Sequence, residues 1–362
     1  MLYHLLYPLH EQFPPLNVFR YITFRAAYAL ATALILALIL GPPVIRRLRA
    51  MKIGQKVRDD GPQSHLPKAG TPTMGGVLMV VSIAVTTLLW GNLQNRFVWI
   101  ALGATLWMGL VGFIDDYLRV VKNMRKGLLG RYKLAGQIIL GIAVFTAVFF
   151  YPAQGLLDPG ETNIPFLKRT VVDFGWLYLP FVILVVTGAS NAVNLADGLD
   201  GLAAGMAAFG AAALGGMCYI TGHVKFSQYL QVPYIAGTGE LTVFCAAIVG
   251  ATLGFLWWNC HPADVFMGDT GSLSLGAALG TVAVLIKREF LLAIVCGVFV
   301  IEALSVMAQV LSFKLRGIRI LKMAPLHHHF ELSGWKETRV VVRFWIAAAL
   351  CALLALTTLK LQ

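Results

Sequence analysis

The stretch "FVWIALGATLWMGLVGFIDDYLRVVKNMRK", residues 97–126, decides the fold of this chain. It begins with an apolar run about as long as the roughly 20 residues that an α-helix needs to cross a bilayer. The run ends on two adjacent carboxylates, Asp115 and Asp116, and basic residues follow. Similar runs recur along the 362 residues, of which 58% are hydrophobic and 13% charged. Soluble proteins carry about 25% charged residues, so we predict an all-α integral membrane protein.

The apolar runs and the basic residues together predict the topology. Ten transmembrane helices are expected near residues 22–41, 73–90, 97–117, 132–150, 176–190, 199–220, 240–257, 271–286, 290–313 and 340–359. Lysine and arginine concentrate in the loops after the first, third and ninth of these spans. Because basic loops stay in the cytoplasm, both termini are predicted to be periplasmic.

One polytopic membrane domain is expected over residues 1–362. Its cytoplasmic loops are predicted at 42–72, 118–131, 191–198, 258–270 and 314–339, and its periplasmic loop at 152–175. The segment 152–175 is too polar to span a bilayer. We expect a short hairpin there, and a homodimer contact through it is left open.

Acidic side chains gather in loops on the predicted cytoplasmic side. The stretches "GASNAVNLADGLDGLA" (188–203) and "WWNCHPADVFMGDTGSLSLG" (257–276) hold no lysine or arginine but several aspartates. Each acid could merely cap a helix, Asp269 the eighth span and Asp197 or Asp200 the sixth. Taken together with Asp115 and Asp116, they need a neutralising cation. Hard oxygen ligands suit Mg²⁺, which binds one or two carboxylates together with substrate phosphates.

Three predicted helix starts on the same side are polar and rich in glycine. They read "GTPTMGG" (70–76), "NLADGLDG" (194–201) and "MGDTGS" (267–272), and Lys68 lies just before the first. Helix N-termini offer free N–H groups and a partial positive charge, which favour phosphate. We therefore predict metal-assisted chemistry on phosphates at the cytoplasmic face, with one substrate reaching the site from the lipid.

Three adjacent histidines lie in the last basic loop, in "MAPLHHHFELSGW" (323–335). Neighbouring positions of a helix point about 100° apart, so one ion is not easily held by all three, although a zinc site stays open. The position of the run on the side of the carboxylates favours a wall of an anion site. Imidazole donates hydrogen bonds, and imidazolium adds charge.

Five motifs of the sequence are typical of one family: "SHLPKAGTPTMGG", "FIDDY", "NAVNLADGLDGLA", "VFMGDTGSL" and "MAPLHHHFELSGW". Through them the sequence resembles the polyprenyl-phosphate N-acetylhexosamine-1-phosphate transferases, and within them the muramyl-pentapeptide branch. The resemblance implies transfer of phospho-N-acetylmuramoyl-pentapeptide from its UDP carrier to undecaprenyl phosphate. The products would be lipid I, a peptidoglycan precursor, and UMP. It also implies Mg²⁺ as cofactor, a bacterial inner-membrane location and no nucleic-acid partner.

The resemblance also assigns roles to residues. Asp269 would be the principal Mg²⁺ ligand, and Asp115 and Asp116 would handle the lipid phosphate, with Asp115 as candidate base. The residues that would line the nucleotide-sugar pocket are Asn194, Asp197, Gly198, Leu199, Asp200, Asn259 and Phe266, the last stacking on uracil. The groups that would hold phosphates or sugar are Lys68, Lys133, His327, His328 and His329. One departure is Arg119, where the family usually has lysine; the two differ in shape and hydration.

Three alternatives remain at this level. The first concerns the route of transfer. Phosphate monoesters have a second pKa of about 6, so the lipid phosphate can attack the donor directly. The other route forms an aspartyl-phosphate on Asp269 first. A sister transferase that uses UDP-N-acetylglucosamine would share most motifs. A transporter would explain Glu302, which lies in the middle of the ninth span, although a paired structural role is the alternative for it. Transporters, however, place their sites near the bilayer midplane.

Overall fold

The computed structural model describes residues 1–51, 68, 70–122, 124, 127–153, 158–167 and 171–361. Parts of the predicted loops 42–72, 118–131 and 152–175 lie outside these described residues. The helices are α1 (Leu2–Leu6), α2 (Ile22–Ala50), α3 (Gly76–Trp90), α4 (Arg96–Val120), α5 (Gly130–Phe149), α6 (Tyr178–Ala196), α7 (Leu202–Thr221), α8 (Val224–Leu230), α9 (Leu241–Asn259), α10 (Gly268–Leu285), α11 (Glu289–Val295), α12 (Gly297–Arg316), α13 (Leu326–Glu331) and α14 (Glu337–Leu361). The other described elements are two short strands, β1 (Glu161–Asn163) and β2 (Val171–Asp173), and four 3-10 helices at Tyr7–Glu11, Pro14–Arg20, Gly175–Leu177 and Thr238–Glu240.

The helical architecture confirms an all-α integral membrane protein. Among the described residues, eight helices are long and apolar enough to cross a membrane: α2, α4, α5, α6, α7, α9, α12 and α14. Helix α3 is shorter, with 15 residues, and α10 begins with the polar run "GDTGS". Each of the ten predicted spans overlaps a helix, since long apolar runs can satisfy their backbone groups in lipid only in this form.

Two predicted spans differ most from the observed helices. Helix α2 continues through Pro42 and Pro43 to Ala50, because a spanning helix need not end where its apolar run ends. The predicted ninth span is split into α11 and α12 at Cys296. The break precedes Gly297, where a Cβ would lie 3.0 Å from the Cys351 sulfur on α14. The close approach of α14 thus coincides with the interruption.

Helix α10 lies at the centre of the bundle, and every residue from Asp269 to Leu285 is buried. Small residues let its neighbours approach, as is common between membrane helices. A Cβ at Gly112 of α4 would lie 2.2 Å from the Asp269 carbonyl oxygen, and one at Gly76 of α3 would lie 2.1 Å from the Gly271 nitrogen. These contacts fix the start of α10 against α3 and α4.

The predicted hairpin in 152–175 is confirmed within its described residues. Strands β1 and β2 pair antiparallel, with Thr162 opposite Val172. The Thr162 hydroxyl donates to the buried Glu289 carboxylate of α11, which also accepts from the Tyr178 hydroxyl. Lys287 donates to the Pro159 carbonyl at 2.5 Å. These bonds tie the hairpin to the helix bundle.

Candidate functional site

Three aspartates meet where α4 ends and α10 begins. Asp115 and Asp116 lie in the last turns of α4, and Asp269 is the second residue of α10. One carboxylate oxygen from each lies within 4.8 Å of the others, and all three side chains are buried. We call these residues the carboxylate cluster. The prediction that the "FIDDY" and "MGDTGS" stretches meet is confirmed by this arrangement.

Asp116 holds the start of α10. Its Oδ1 accepts from the Asp269 N–H at 3.1 Å, and its Oδ2 accepts from the Thr270 N–H at 2.9 Å and the Thr270 hydroxyl at 2.7 Å. Gly268 adopts φ +72°, and a Cβ there would lie 2.7 Å from Asp116 Oδ2. Asp116 is therefore committed to the helix start and positions Asp269, which leaves the Asp269 side chain for other partners.

Two cations balance the cluster. The Lys133 ammonium, in the first turn of α5, lies 2.5 Å from Asp269 Oδ2 and 3.0 Å from Asp115 Oδ2. Arg119 lies one turn after Asp115 and reaches its Oδ2 at 2.8 Å, and its guanidinium lies 3.9 Å from Asp269 Oδ1. Arg119, which stands where the family usually has lysine, thus forms an ion pair with Asp115. Nearly half of the Arg119 side chain is exposed, which leaves it free to contact a further anion.

The loop after α6 borders the cluster. The Asn194 amide donates to Asp269 Oδ1 at 3.2 Å and to the Ser272 hydroxyl at 2.8 Å. The Gly268 N–H faces the Asp197 carboxylate and favours its charged form. Burial, together with the nearby Asp269 and Asp116 carboxylates, raises the pKa of Asp197 to about 8. Asp197 therefore lies beside the carboxylate cluster, and Asp116 supplies the bonds to the N–H groups of Asp269 and Thr270.

Two predictions about helix starts are wrong. The first N–H groups of α3 and α10 are not free: Gly75 and Gly76 donate to the Phe266 and Met267 carbonyls, and α10 donates to Asp116. The alternative that Asp269 merely caps its helix is also wrong, because the cap comes from α4. In so closely packed a bundle, these N–H groups bond to carbonyl and carboxylate oxygens of the protein itself. A phosphate here would therefore meet side-chain cations rather than backbone donors.

A second group of charged side chains lies where α14 begins. The Lys68 ammonium donates to Asp200 Oδ1 at 2.8 Å and to Glu337 Oε1 at 2.6 Å. His261 Nδ1 lies 3.0 Å from Asp200 Oδ2 and 3.5 Å from Glu337 Oε2. We call these four residues the Lys68 group. Sequence reasoning missed His261 and Glu337. The only available signal was that His261 lies in the acidic loop and Glu337 closely follows the histidines.

Other predicted pocket residues make contacts inside the protein. The buried Asn259 accepts from the Gly201 N–H at 3.0 Å and donates to the Val265 carbonyl at 2.8 Å, so it joins two loops. The half-buried Phe266 pairs its N–H with the Pro72 carbonyl at 2.8 Å. Leu199 is buried. Asn259 therefore holds the backbone near Gly201 to the backbone near Val265.

The three histidines have three different environments. The buried His327 bonds through its N–H and Nδ1 to Glu302, each at 3.2 Å. Its Nε2 has no partner among the described residues and faces Gly198, where a Cβ would lie 2.3 Å away. His328 pairs with Glu331 at 2.8 Å, and His329 Nδ1 accepts from the Lys322 N–H at 3.1 Å. Glu302 therefore pairs with His327, as expected for a structural role. His327 is the histidine whose ring faces the loop after α6.

The donor set of the carboxylate cluster fits a hard divalent cation. Its atoms are carboxylate oxygens, and Asp115 and Asp269 already share the positive charge of Lys133. Such a cation usually takes one or two protein carboxylates and completes its shell with water and phosphate oxygens. Asp269 and Asp115 are the residues best placed to hold it, because they share the Lys133 ammonium, whereas the oxygens of Asp116 bind the start of α10.

Comparison with known proteins agrees with this arrangement. The model of glycosyl transferase family 4 matches residues 98–287, and phospho-N-acetylmuramoyl-pentapeptide-transferase signature 1 matches residues 68–80. Relatives that bear the name phospho-N-acetylmuramoyl-pentapeptide-transferase are 55% identical in Citrifermentans bemidjiense, 53% in Thermodesulfovibrio yellowstonii and 51% in Koribacter versatilis. Each alignment covers 100% of both chains.

Fold and site together define a multi-pass membrane protein with a carboxylate-lined polar site at one end of its helix bundle. The chain belongs to glycosyl transferase family 4 and, within it, to the phospho-N-acetylmuramoyl-pentapeptide-transferases.

Proposed function

We propose that the chain transfers phospho-N-acetylmuramoyl-pentapeptide from UDP-N-acetylmuramoyl-pentapeptide to undecaprenyl phosphate, giving lipid I and UMP. The observation that carries the proposal is the carboxylate cluster with Lys133 at the ends of membrane-spanning helices. It lies in a chain that matches transferases of that name over its full length. A polar site at a membrane edge suits one water-soluble and one lipid-bound phosphate substrate.

The proposed topology has ten spans, both termini in the periplasm of a bacterial inner membrane, and the site at the cytoplasmic face. The C-terminal ends of α4 and α6 and the N-terminal ends of α5 and α10 meet at the carboxylate cluster. The basic C-terminal turn of α2 reaches the same end, where Arg49 pairs with Asp264 at 2.8 Å. Basic residues at that end favour a cytoplasmic location.

The chemistry at this site is displacement at the β-phosphorus of the UDP substrate. An oxygen of the lipid phosphate forms the new P–O bond, and UMP leaves with the electrons of the broken one. The attacking phosphate is mostly ionised at neutral pH, since its second pKa is about 6. Positioning and charge stabilisation therefore matter more than proton removal, and direct attack is our preferred route.

Individual residues would divide this work. Lys133 and Arg119 would bind the negative oxygens of both phosphates. Asp115, held between these cations, would orient them and accept a proton from a protonated acceptor. Asp269 would hold Mg²⁺ together with substrate oxygens, and the ion would supply Lewis-acid stabilisation of the pyrophosphate.

An apolar groove next to the histidines would receive the acceptor lipid. It has a volume of about 340 Å³ and is lined by α12 residues such as Ile301 and Leu304, and by Ile320, Leu321 and Leu326. Leu326 immediately precedes His327, so one wall of the groove adjoins the histidines. Such a surface suits a polyprenyl chain, whose phosphate would then point towards the cluster.

The substrate assignment is tested by UMP release from the purified chain in detergent, with Mg²⁺ and undecaprenyl phosphate. We expect turnover with UDP-N-acetylmuramoyl-pentapeptide and none with UDP-N-acetylglucosamine. Turnover with the second donor alone would replace this function by that of a sister transferase. Because the assay contains no vesicles, transport cannot produce the signal.

A further inference from the structure

Glu337 joins the two parts of the Lys68 group through a single oxygen. Its Oε1 accepts from the Lys68 ammonium at 2.6 Å and from the Asp200 backbone N–H at 2.9 Å. Lys68 in turn donates to Asp200 Oδ1 at 2.8 Å. The three residues therefore form a closed ring of contacts between the approach to α3, the loop after α6 and the start of α14.

This ring is enclosed, which makes each contact strong. The side chains of Lys68, Asp200 and Glu337 expose 13%, 2% and 7% of their surface. Buried polar groups cost free energy unless they are bonded. Lysine also has a long flexible side chain whose ordering costs entropy. Two carboxylates that hold one ammonium place it before any ligand arrives.

The same glutamate also supports the backbone of the predicted nucleotide pocket. Residues 197–200 follow α6, and Asp200 is where Glu337 accepts the N–H bond. Without that acceptor, the Asp200 N–H would lose its bond to a buried carboxylate. The loop that carries Asp197 and Gly198 would then lose one of its ties to α14.

We propose that Glu337 is a positioning residue for the UDP moiety of the donor, acting through Lys68 and through the 197–200 loop. The inference rests on the proposed function for its ligand. Glu337 bonds to both groups and so contributes preorganisation, which lowers the cost of binding. Its effect should therefore fall on nucleotide affinity and leave the reacting phosphates, which lie at the carboxylate cluster, unaffected.

The test compares Glu337→Gln and Glu337→Leu with the wild type. Gln keeps an oxygen for the Asp200 N–H but loses the charge facing Lys68, whereas Leu loses both. We expect KM for UDP-N-acetylmuramoyl-pentapeptide to rise about tenfold in Glu337→Gln, where the Lys68 ammonium loses its charged acceptor, and further in Glu337→Leu, where the bond itself is lost. We expect kcat within about twofold, and the affinity for UMP, measured by calorimetric titration, to fall in parallel with KM.

Two further variants separate positioning from simple support of the fold. Asp264→Asn removes an acid of a half-exposed ion pair at the same end of the molecule and should leave KM and UMP affinity unchanged. Lys68→Met should weaken UMP binding, and the Lys68→Met, Glu337→Gln double variant should be much less than additive, because residues in one network couple.

Unchanged UMP affinity in both Glu337 variants, or additive effects in the double variant, would overturn the inference. A loss of kcat at constant KM would overturn it as well. Failure of the proposed function has a different signature, since the wild type itself would then release no UMP from the donor.

Discussion

The clearest consequence of the geometry is that two neighbouring aspartates have different tasks. In Asp116→Asn, the side chain keeps its volume, and the better orientation keeps both bonds from Thr270. The amide NH₂ then faces the Asp269 N–H, which loses a carboxylate acceptor at 3.1 Å. Hydrogen bonds to charged groups contribute about 1.5–3 kcal/mol, so the free energy of unfolding should fall by about that amount. Thr270→Val, which loses one hydroxyl bond, should cost about 1 kcal/mol.

The measurement is thermal unfolding of the purified variants in detergent, with UMP release assayed well below the transition. We expect Asp116→Asn to unfold at a lower temperature than the wild type and to keep more activity at the assay temperature than Asp115→Asn. The reasoning would be refuted if Asp116→Asn unfolded like the wild type and yet lost all turnover. That result would mean that Asp116 acts on the substrate and not on α10.

Three further predictions concern the same site. Asp269→Asn should lower kcat by about 10³-fold while the protein still folds, because a metal ligand worth several kcal/mol is lost. Chelation with EDTA should stop turnover of the wild type. If Asp269→Asn turned over within a few-fold of the wild-type rate, Asp269 would have no metal role. Arg119→Lys should keep kcat within about threefold, since partly exposed ion pairs contribute about 1 kcal/mol or less; a large drop would show that the guanidinium is needed. Gly198→Ala would place a Cβ 2.3 Å from His327 Nε2 and should lower kcat/KM on the order of 100-fold, as a displacement of about 1 Å can do; normal kinetics would exclude a tight contact there.

Much of the fold could be predicted because the bilayer constrains it so strongly. Apolar runs of sufficient length can only be helices, and each predicted span overlaps one. The break at Cys296 could not be predicted, because it coincides with the approach of α14 and has no local breaker other than Gly297. The extension of α2 to Ala50 could not be predicted from hydropathy, because the helix continues beyond its apolar run into basic residues.

The carboxylate cluster could be predicted for a similar reason. Asp115, Asp116 and Asp269 each lie at an end of a predicted span on the same predicted side, so the predicted topology alone brings them close, and the structure does so. The different roles of Asp115 and Asp116 depend on how α4 packs on α10 at Gly112. The sequence alone does not show that packing.

The Lys68 group shows where sequence reasoning stops. Lys68, Asp200 and Glu337 come from three distant parts of the chain and carry no common spacing. Glu337 stands near Lys336 and Arg339 at the start of a helix, where an acid is favourable for the helix dipole alone. Its bonds to Lys68 and Asp200 therefore become visible only in three dimensions.

The central claim is that this chain joins a nucleotide-linked sugar phosphate to a lipid phosphate. The most direct measurement follows ³²P placed at the β-phosphorus of UDP-N-acetylmuramoyl-pentapeptide, with undecaprenyl phosphate, Mg²⁺ and the purified chain. We predict that the label enters an organic-extractable product in equal amount to the UMP released, and that Asp269→Asn forms none. Release of UMP with the label left in a water-soluble sugar phosphate would contradict the account, because the acceptor would then be water.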